Sequence, residues 1–418
     1  MKLRVLFPLL ALLFVVWPAA AFAQVVDSID AAHSVSPAPV PASTATASTA
    51  PAKPSSLPGA LSVGQIQEQI ETAKARLKAS AADLPTDSVR LAALDRATGQ
   101  IHTVQLTKDS FLTRGAELEA VTSVGHRVRI YIARANGVNT AVVITDETNQ
   151  SPLVPLVVQY PIVRSGQPTQ VAYYTSAHPA LLSAEVIGAG RTYVRSKLDT
   201  AAQRLRAEGF NVTPEIVDIA EHLAIVEHTD HQRFKAEDRP ALFNEILSLY
   251  ALNEGDTYRY SVSTAGAGGM IQMIPSTYDM VRRRHPSIDL KPDFVAGMTD
   301  HDNAALVMLL YMQDTWDDLL ESQDVRAAIQ NGIATQPELV AAGYNSNPAR
   351  LASYLKRGGT EWRTLIPGET QMYLAIYGSL DGSAVIKSKP RRIVLRPEVL
   401  AVASRSTVLA PLMRIFIG

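Results

Sequence analysis

The hydrophobic period changes once along this chain, and that change restricts its possible folds more than any other feature. HRVRIYIARANGVNTAVVITD (126–146) alternates apolar and polar residues on both sides of Asn136-Gly137, the pattern of two half-buried strands around a hairpin. SPLVPLVVQYPIVRSGQPTQVAYYTS (151–176) supplies two further strand candidates. From about Thr213 the apolar residues recur at helical spacing, with no strand run of any length. The chain is therefore expected to be an α+β multidomain protein, a small β-rich domain followed by a mainly α one. Residues 61–176 read as a helix (IQEQIETAKARLKASA, from Ile66) plus the β-rich domain, 177–212 as connecting helices, 213–380 as the main helical domain and 381–418 as an extension. The pair Gly188 and Gly190 lacks both the preceding strand and the full glycine spacing of a dinucleotide loop.

The first residues predict export from the cytoplasm. MKLRVLFPLLALLFVVWPAAAFAQ has a basic start, an apolar run and the small-x-small site Ala21-Phe22-Ala23, the pattern of a cleavable signal peptide over residues 1–23. The expected location is periplasmic, with no transmembrane segment in the mature chain. Residues 24–60, rich in Ala, Pro, Ser and Thr, read as a flexible linker. No cysteine is present, so disulfides and thiolate chemistry are excluded and stability must come from a packed core. Lys plus Arg number 39 and Asp plus Glu 40, leaving no net field to attract nucleic acid.

STAGAGGMIQMIPSTY (263–278) concentrates Gly266, Gly268 and Gly269 before Pro275, which suits the first turn of a helix. Gln272 stands alone among Met270, Ile271, Met273 and Ile274, so its amide either satisfies a buried backbone group or points into a cleft. Ser263, Ala265, Gly266, Ala267, Gly269, Gln272, Pro275 and Thr277 together resemble the signature of soluble-lytic-transglycosylase-type domains. AAGYNSNPARL is similar to that family's Ala-Ala-Tyr-Asn-Ala-Gly-Pro segment, with Tyr344, Asn345 and Pro348 matching and Asn347 where Gly is usual. Asn tolerates the left-handed turn that Gly favours. PGETQMYLAIY, with Glu369, Thr370 and Tyr373, resembles the closing helix. The resemblance spans about residues 214–380. It implies a lysozyme-like helical domain that cuts peptidoglycan, with a groove lined by Ser263, Gly269, Met270, Gln272, Tyr344 and Asn345. The glycines would then let the backbone approach a saccharide.

Glycosidic cleavage needs an acid that stays protonated near neutral pH, and an apolar setting provides one. Ile216, Ala220, Leu223 and Glu227 share a helical face after Thr213-Pro214, a capped helix start, so Glu227 ends an apolar stripe. The alternative is Glu254, twelve residues before Gly266, the gapless family spacing, but NEGD reads as a solvated helix-ending turn. Glu227 is the favoured acid. The resemblance implies cleavage between N-acetylmuramic acid and N-acetylglucosamine to a 1,6-anhydro end, with no cofactor and no metal. His222, His228 and His231 lack the two-histidine spacing of a zinc protease helix. Two alternatives stand beside this reading. A hydrolytic muramidase would use Asp230 or Asp256, and an inactive wall-binding scaffold would leave envelope or secretion proteins as partners of the β-rich domain. Ala305, Leu309, Met312 and Trp316 form a core stripe.

Overall fold

The computed structural model describes residues 61–382 apart from Ser165 and Thr264. The expected signal peptide (1–23), linker (24–60) and nearly all of the extension (381–418) lie outside the described residues. The N-terminal half contains α1 (Val63–Ala79), β1 (Ser88–Leu94), β2 (Ile101–Thr107), α2 (Lys108–Phe111), β3 (Glu117–Val121), β4 (Arg127–Arg134), β5 (Ala141–Asp146), β6 (Ser151–Arg164) and β7 (Gln167–Tyr174). The helices that follow are α3 (Ala184–Ala207), α4 (Pro214–Val226), α5 (His231–Ala236), α6 (Arg239–Asn253), α7 (Pro275–Arg284), α8 (Phe294–Met298) and α9 (His301–Glu321). The last four are α10 (Gln323–Gln330), α11 (Gln336–Asn345), α12 (Leu351–Gly358) and α13 (Gly368–Asp381). Among the described residues no helix is long and apolar enough to cross a membrane.

The seven strands form one antiparallel sheet in the order β2-β1-β6-β5-β4-β3, with β7 also on β6. Alternation drives it: in β4, Val128, Ile130 and Ile132 are buried while Arg127, Arg129 and Tyr131 face out. The long β6 pairs first with β5, then with β1 and β7. Pro155 and Pro161 lack ladder donors, and the register shifts beside them, at Ala92/Ala93 and Ile162/Val163. These irregularities let β6 pass from one half of the sheet to the other. Ser123, just past β3, donates its N–H to the Thr103 carbonyl on β2 at 2.8 Å, so the sheet curls towards a barrel. The Asn136-Gly137 hairpin forms with a short 3-10 turn, Gly137–Asn139, rather than a two-residue loop.

The main apolar core joins the sheet to α3, α4, α6 and α9, and two smaller clusters lie under α1 and around α10 and α12. α4 runs through the main core. Its N-terminus has the expected cap, Thr213 accepting from the Ile216 N–H with Pro214 in the first turn. The expected stripe of Ile216, Ala220 and Leu223 is buried, and burial extends beyond it to Val217 and every residue from Ile219 to Val226. The helix is enclosed by α3, α9, α11 and α13, and only its first turns, at Pro214, Glu215 and Asp218, reach solvent. The segment after residue 177 forms one long helix, α3, preceded by a short 3-10 turn. A Cβ on Gly190 would overlap the Leu247 carbonyl, so this glycine is what lets α3 lie close against α6.

Candidate functional site

Glu227 sits at the C-terminus of α4, still helical in its backbone (φ −59°, ψ −21°), with its N–H donating to the Leu223 carbonyl at 3.0 Å. Its side chain lies deep in the molecule, with part of its surface open to a cleft of about 1590 Å³. That volume exceeds the usual few hundred to 1000 Å³ of a small-molecule pocket and suits an extended ligand. Tyr373, on α13 and almost fully enclosed, donates its hydroxyl to Glu227 Oε1 at 2.6 Å. Burial dominates the carboxyl: it pushes the pKa up to about 8 from an ordinary value of 4.5. The Tyr373 hydrogen bond works against this shift, and the nearby Glu369 charge, one helical turn before Tyr373, adds to it. Glu227 is therefore mostly protonated at neutral pH. Burial first, and the Glu227 charge second, push the hydroxyls of Tyr344 and Tyr373 well above the usual tyrosine range, so both remain donors.

The residue after the acid anchors the glycine-rich loop. His228 Nε2 donates to the Met270 carbonyl at 3.0 Å, and its ring stacks parallel on Tyr258 at 3.3 Å between centroids. Burial pulls its pKa down to about 3, which keeps it neutral, and the Met270 carbonyl acceptor selects the Nε2–H tautomer. The loop is also tied from α11, where the Tyr344 hydroxyl donates to the Ile271 carbonyl at 2.8 Å. Its neighbour Asn345 accepts from the Thr370 hydroxyl at 2.8 Å, which links α11 to α13. Thus α4, α11, α13 and the loop meet around one carboxyl.

Glu227, Ser263, Gln272, Tyr344 and Asn345 all line the cleft. Gln272 combines both expected roles. It holds a left-handed backbone (φ +45°), rare for a non-glycine residue, and its Nε2 donates to the Gly269 carbonyl at 2.8 Å. Ser263 is fixed in a turn, its hydroxyl accepting from the Ala267 N–H at 3.0 Å. Gly269 and Met270 are buried behind the cleft wall, with the Met270 side chain wholly enclosed. The sequence-based reason for the glycines needs correction at Gly269: its φ is +71°, and an added Cβ would overlap the Met298 carbonyl of α8. This glycine serves a turn and internal packing. Asn347 is also corrected, since its φ is −75° and it caps a short 3-10 turn, its Oδ1 accepting from the Ala349 N–H at 3.0 Å.

Glu254 follows α6 with φ +46°. It is exposed, its Oε1 accepts from Gln67 Nε2 of α1 at 3.1 Å, and it does not line the cleft. Asp256 likewise lies off the cleft, paired with Arg259 at 3.3 Å. Asp230 lines it but caps α5, accepting from the Gln232 and Arg233 N–H groups at 2.8 Å. Among the described residues no group of three or more His, Asp and Glu side chains could hold a metal ion. His222 is turned to Asp218 and Tyr377 instead.

Sequence reasoning missed several groups. The pairing of Tyr373 with Glu227 joins residues far apart in the chain, and only the closing-helix resemblance pointed towards Tyr373. The β-rich segment offered no chemical constellation, yet Arg114, Arg134, Asn136 and Asn139 form part of the cleft wall. No family model, curated protein or solved structure matches the chain.

Proposed function

We propose that this protein is a periplasmic lytic transglycosylase that cuts peptidoglycan strands with Glu227 as its acid and base, on a lysozyme-like arrangement of helices. The observation that carries the reading is a buried carboxyl, its pKa raised to about 8, that lines a cleft of about 1590 Å³, with Tyr373 holding one of its oxygens. The collinear motif resemblance of residues 214–380 to the soluble lytic transglycosylases supports the same reading.

In this scheme Tyr373 occupies Oε1, and the proton rides on the other oxygen. Glu227 gives that proton to the oxygen bridging N-acetylmuramic acid and N-acetylglucosamine, and the C1–O bond breaks. The Tyr373 hydroxyl stabilises the carboxylate that remains. The carboxylate then takes the proton of the sugar's own 6-hydroxyl as that oxygen closes on C1, which yields a 1,6-anhydro end and restores the acid. An internal nucleophile has a high effective concentration, so no second carboxylate is required. This distinguishes the scheme from two-carboxylate glycosidases.

The test is digestion of purified sacculi by wild type and Glu227→Gln, read by product mass. The expected result is anhydro ends from wild type and none from the variant. Products heavier by one water would identify a hydrolase. Equal products from wild type and variant would refute Glu227 as the acid, and binding without cleavage by both would identify a scaffold.

A further inference from the structure

Part of the cleft wall comes from the β-rich segment rather than from the helices. Arg114 lies between α2 and β3, and Arg134, Asn136 and Asn139 lie at the end of β4 and in the turn to β5. The turn is fixed internally. Thr140 Oγ1 accepts from the Asn136 N–H at 3.0 Å and donates to the Gly137 carbonyl at 2.8 Å. These backbone bonds leave the asparagine side chains unused.

The charges around the cleft are otherwise largely satisfied. Arg233 is held by Glu237 and Glu245, Arg284 by Asp314 and Asp318, and Arg134 by Glu245 at 2.8 Å. Among the described residues, Arg114 has no carboxylate partner and the Asn136 amide has no side-chain hydrogen bond. Asn139 Oδ1 and Arg134 Nε are buried with no hydrogen-bond partner. Both atoms are closed off from the cleft, so the groups it offers a ligand directly are the Arg114 guanidinium and the Asn136 amide. A guanidinium grips a carboxylate, while asparagine amides match both the N–H and the C=O of a peptide.

We infer that Arg114, Asn136 and Asn139, beside the Glu245-paired Arg134, form a receptor for a carboxylate borne by the glycan, so that substrate is selected by its substituents as well as by its sugars. The inference rests on the glycan-cleaving reading above. Such a carboxylate has two sources, the lactyl group of a peptide-stripped strand and the carboxylates of an attached peptide. The two asparagines beside the arginines favour the peptide.

The test is binding, measured by calorimetry on the full chain carrying Glu227→Gln so that nothing is cut. Three probes of equal glycan length are compared: peptide-bearing strands, peptide-stripped strands, and N-acetylglucosamine oligomers with no carboxylate. Arg114→Gln and Asn136→Ala are each added to that background, with a thermal melt to check folding. The peptide-bearing probe is expected to bind tightest. Arg114→Gln should weaken it about two- to fivefold, the range for an exposed charge-assisted pair, and leave the oligomers unchanged. An equal loss for the stripped strands would support the receptor with the lactyl group as its ligand. Unchanged affinities for all three probes in both variants would overturn the inference while the glycan reading stands. Failure of the Glu227→Gln parent to bind any probe would overturn both.

Discussion

Replacing the proposed catalytic acid should make the protein more stable, by an amount that depends on pH. The Glu227 carboxyl titrates near 8 when folded and near 4.5 when exposed. The folded state therefore holds this proton more tightly than the unfolded chain does. Its contribution to stability is fully present below about pH 4.5 and is lost as pH rises through about 8. Glu227→Gln keeps an oxygen for Tyr373 and is neutral at every pH, so it escapes that loss. Relative to wild type the variant should gain about 1 kcal/mol at pH 5 and on the order of 3 kcal/mol at pH 7. The cleft-facing part of the side chain stays hydrated, so these figures are upper bounds. Urea unfolding of both proteins at the two pH values, at matched ionic strength, reads the difference directly. A gap that does not widen with pH, or a variant weaker than wild type at pH 7, would refute the reasoning.

Further outcomes follow from the same geometry. Tyr373→Phe removes the hydrogen bond that favours the carboxylate, so the pKa of Glu227 should rise further; the alkaline limb of the pH–rate profile should move up and turnover fall about tenfold, the value of one charge-assisted bond. Gly190→Ala should cost about 2 kcal/mol or more in a thermal or urea melt, because its Cβ would overlap the Leu247 carbonyl and α3 and α6 must part. Gly188→Ala, two residues away with open space around it, should be neutral or stabilising by about 0.5–1 kcal/mol. Glu254→Gln should leave the yield of anhydro products unchanged in a sacculus digest, since that carboxyl is exposed and off the cleft. Loss of those products with this variant alone would move the chemistry to Glu254.

Features set by neighbours in the chain were legible in the sequence. The Thr213-Pro214 start of α4, the Pro275 start of α7 and the hairpin at Asn136-Gly137 each depend on a few adjacent residues, and each formed. The burial of Glu227 was legible only in direction, because a stripe on α4 implies an apolar neighbourhood without saying what encloses the rest of the helix. The groups that adjust the effect of burial, the Tyr373 hydroxyl against it and the Glu369 charge with it, arrive from α13 through tertiary packing, where local spacing carries no information. The same limit misassigned Gly269. A positive φ could be inferred from glycine itself, whereas the Met298 carbonyl that fills the space beside it belongs to a distant helix. The place of the β4–β5 turn in the cleft wall was equally hidden, since strand alternation reports which face is buried and not what the turn approaches.

The central claim is that one carboxyl keeps its proton at neutral pH because the fold buries it. Its most direct test is a pH titration of that carboxyl, by carbon-13 NMR of labelled glutamate or by its infrared carbonyl band, assigned through its absence in Glu227→Gln. The account predicts a midpoint near 8. A midpoint near 4.5, the ordinary glutamate value, would contradict it.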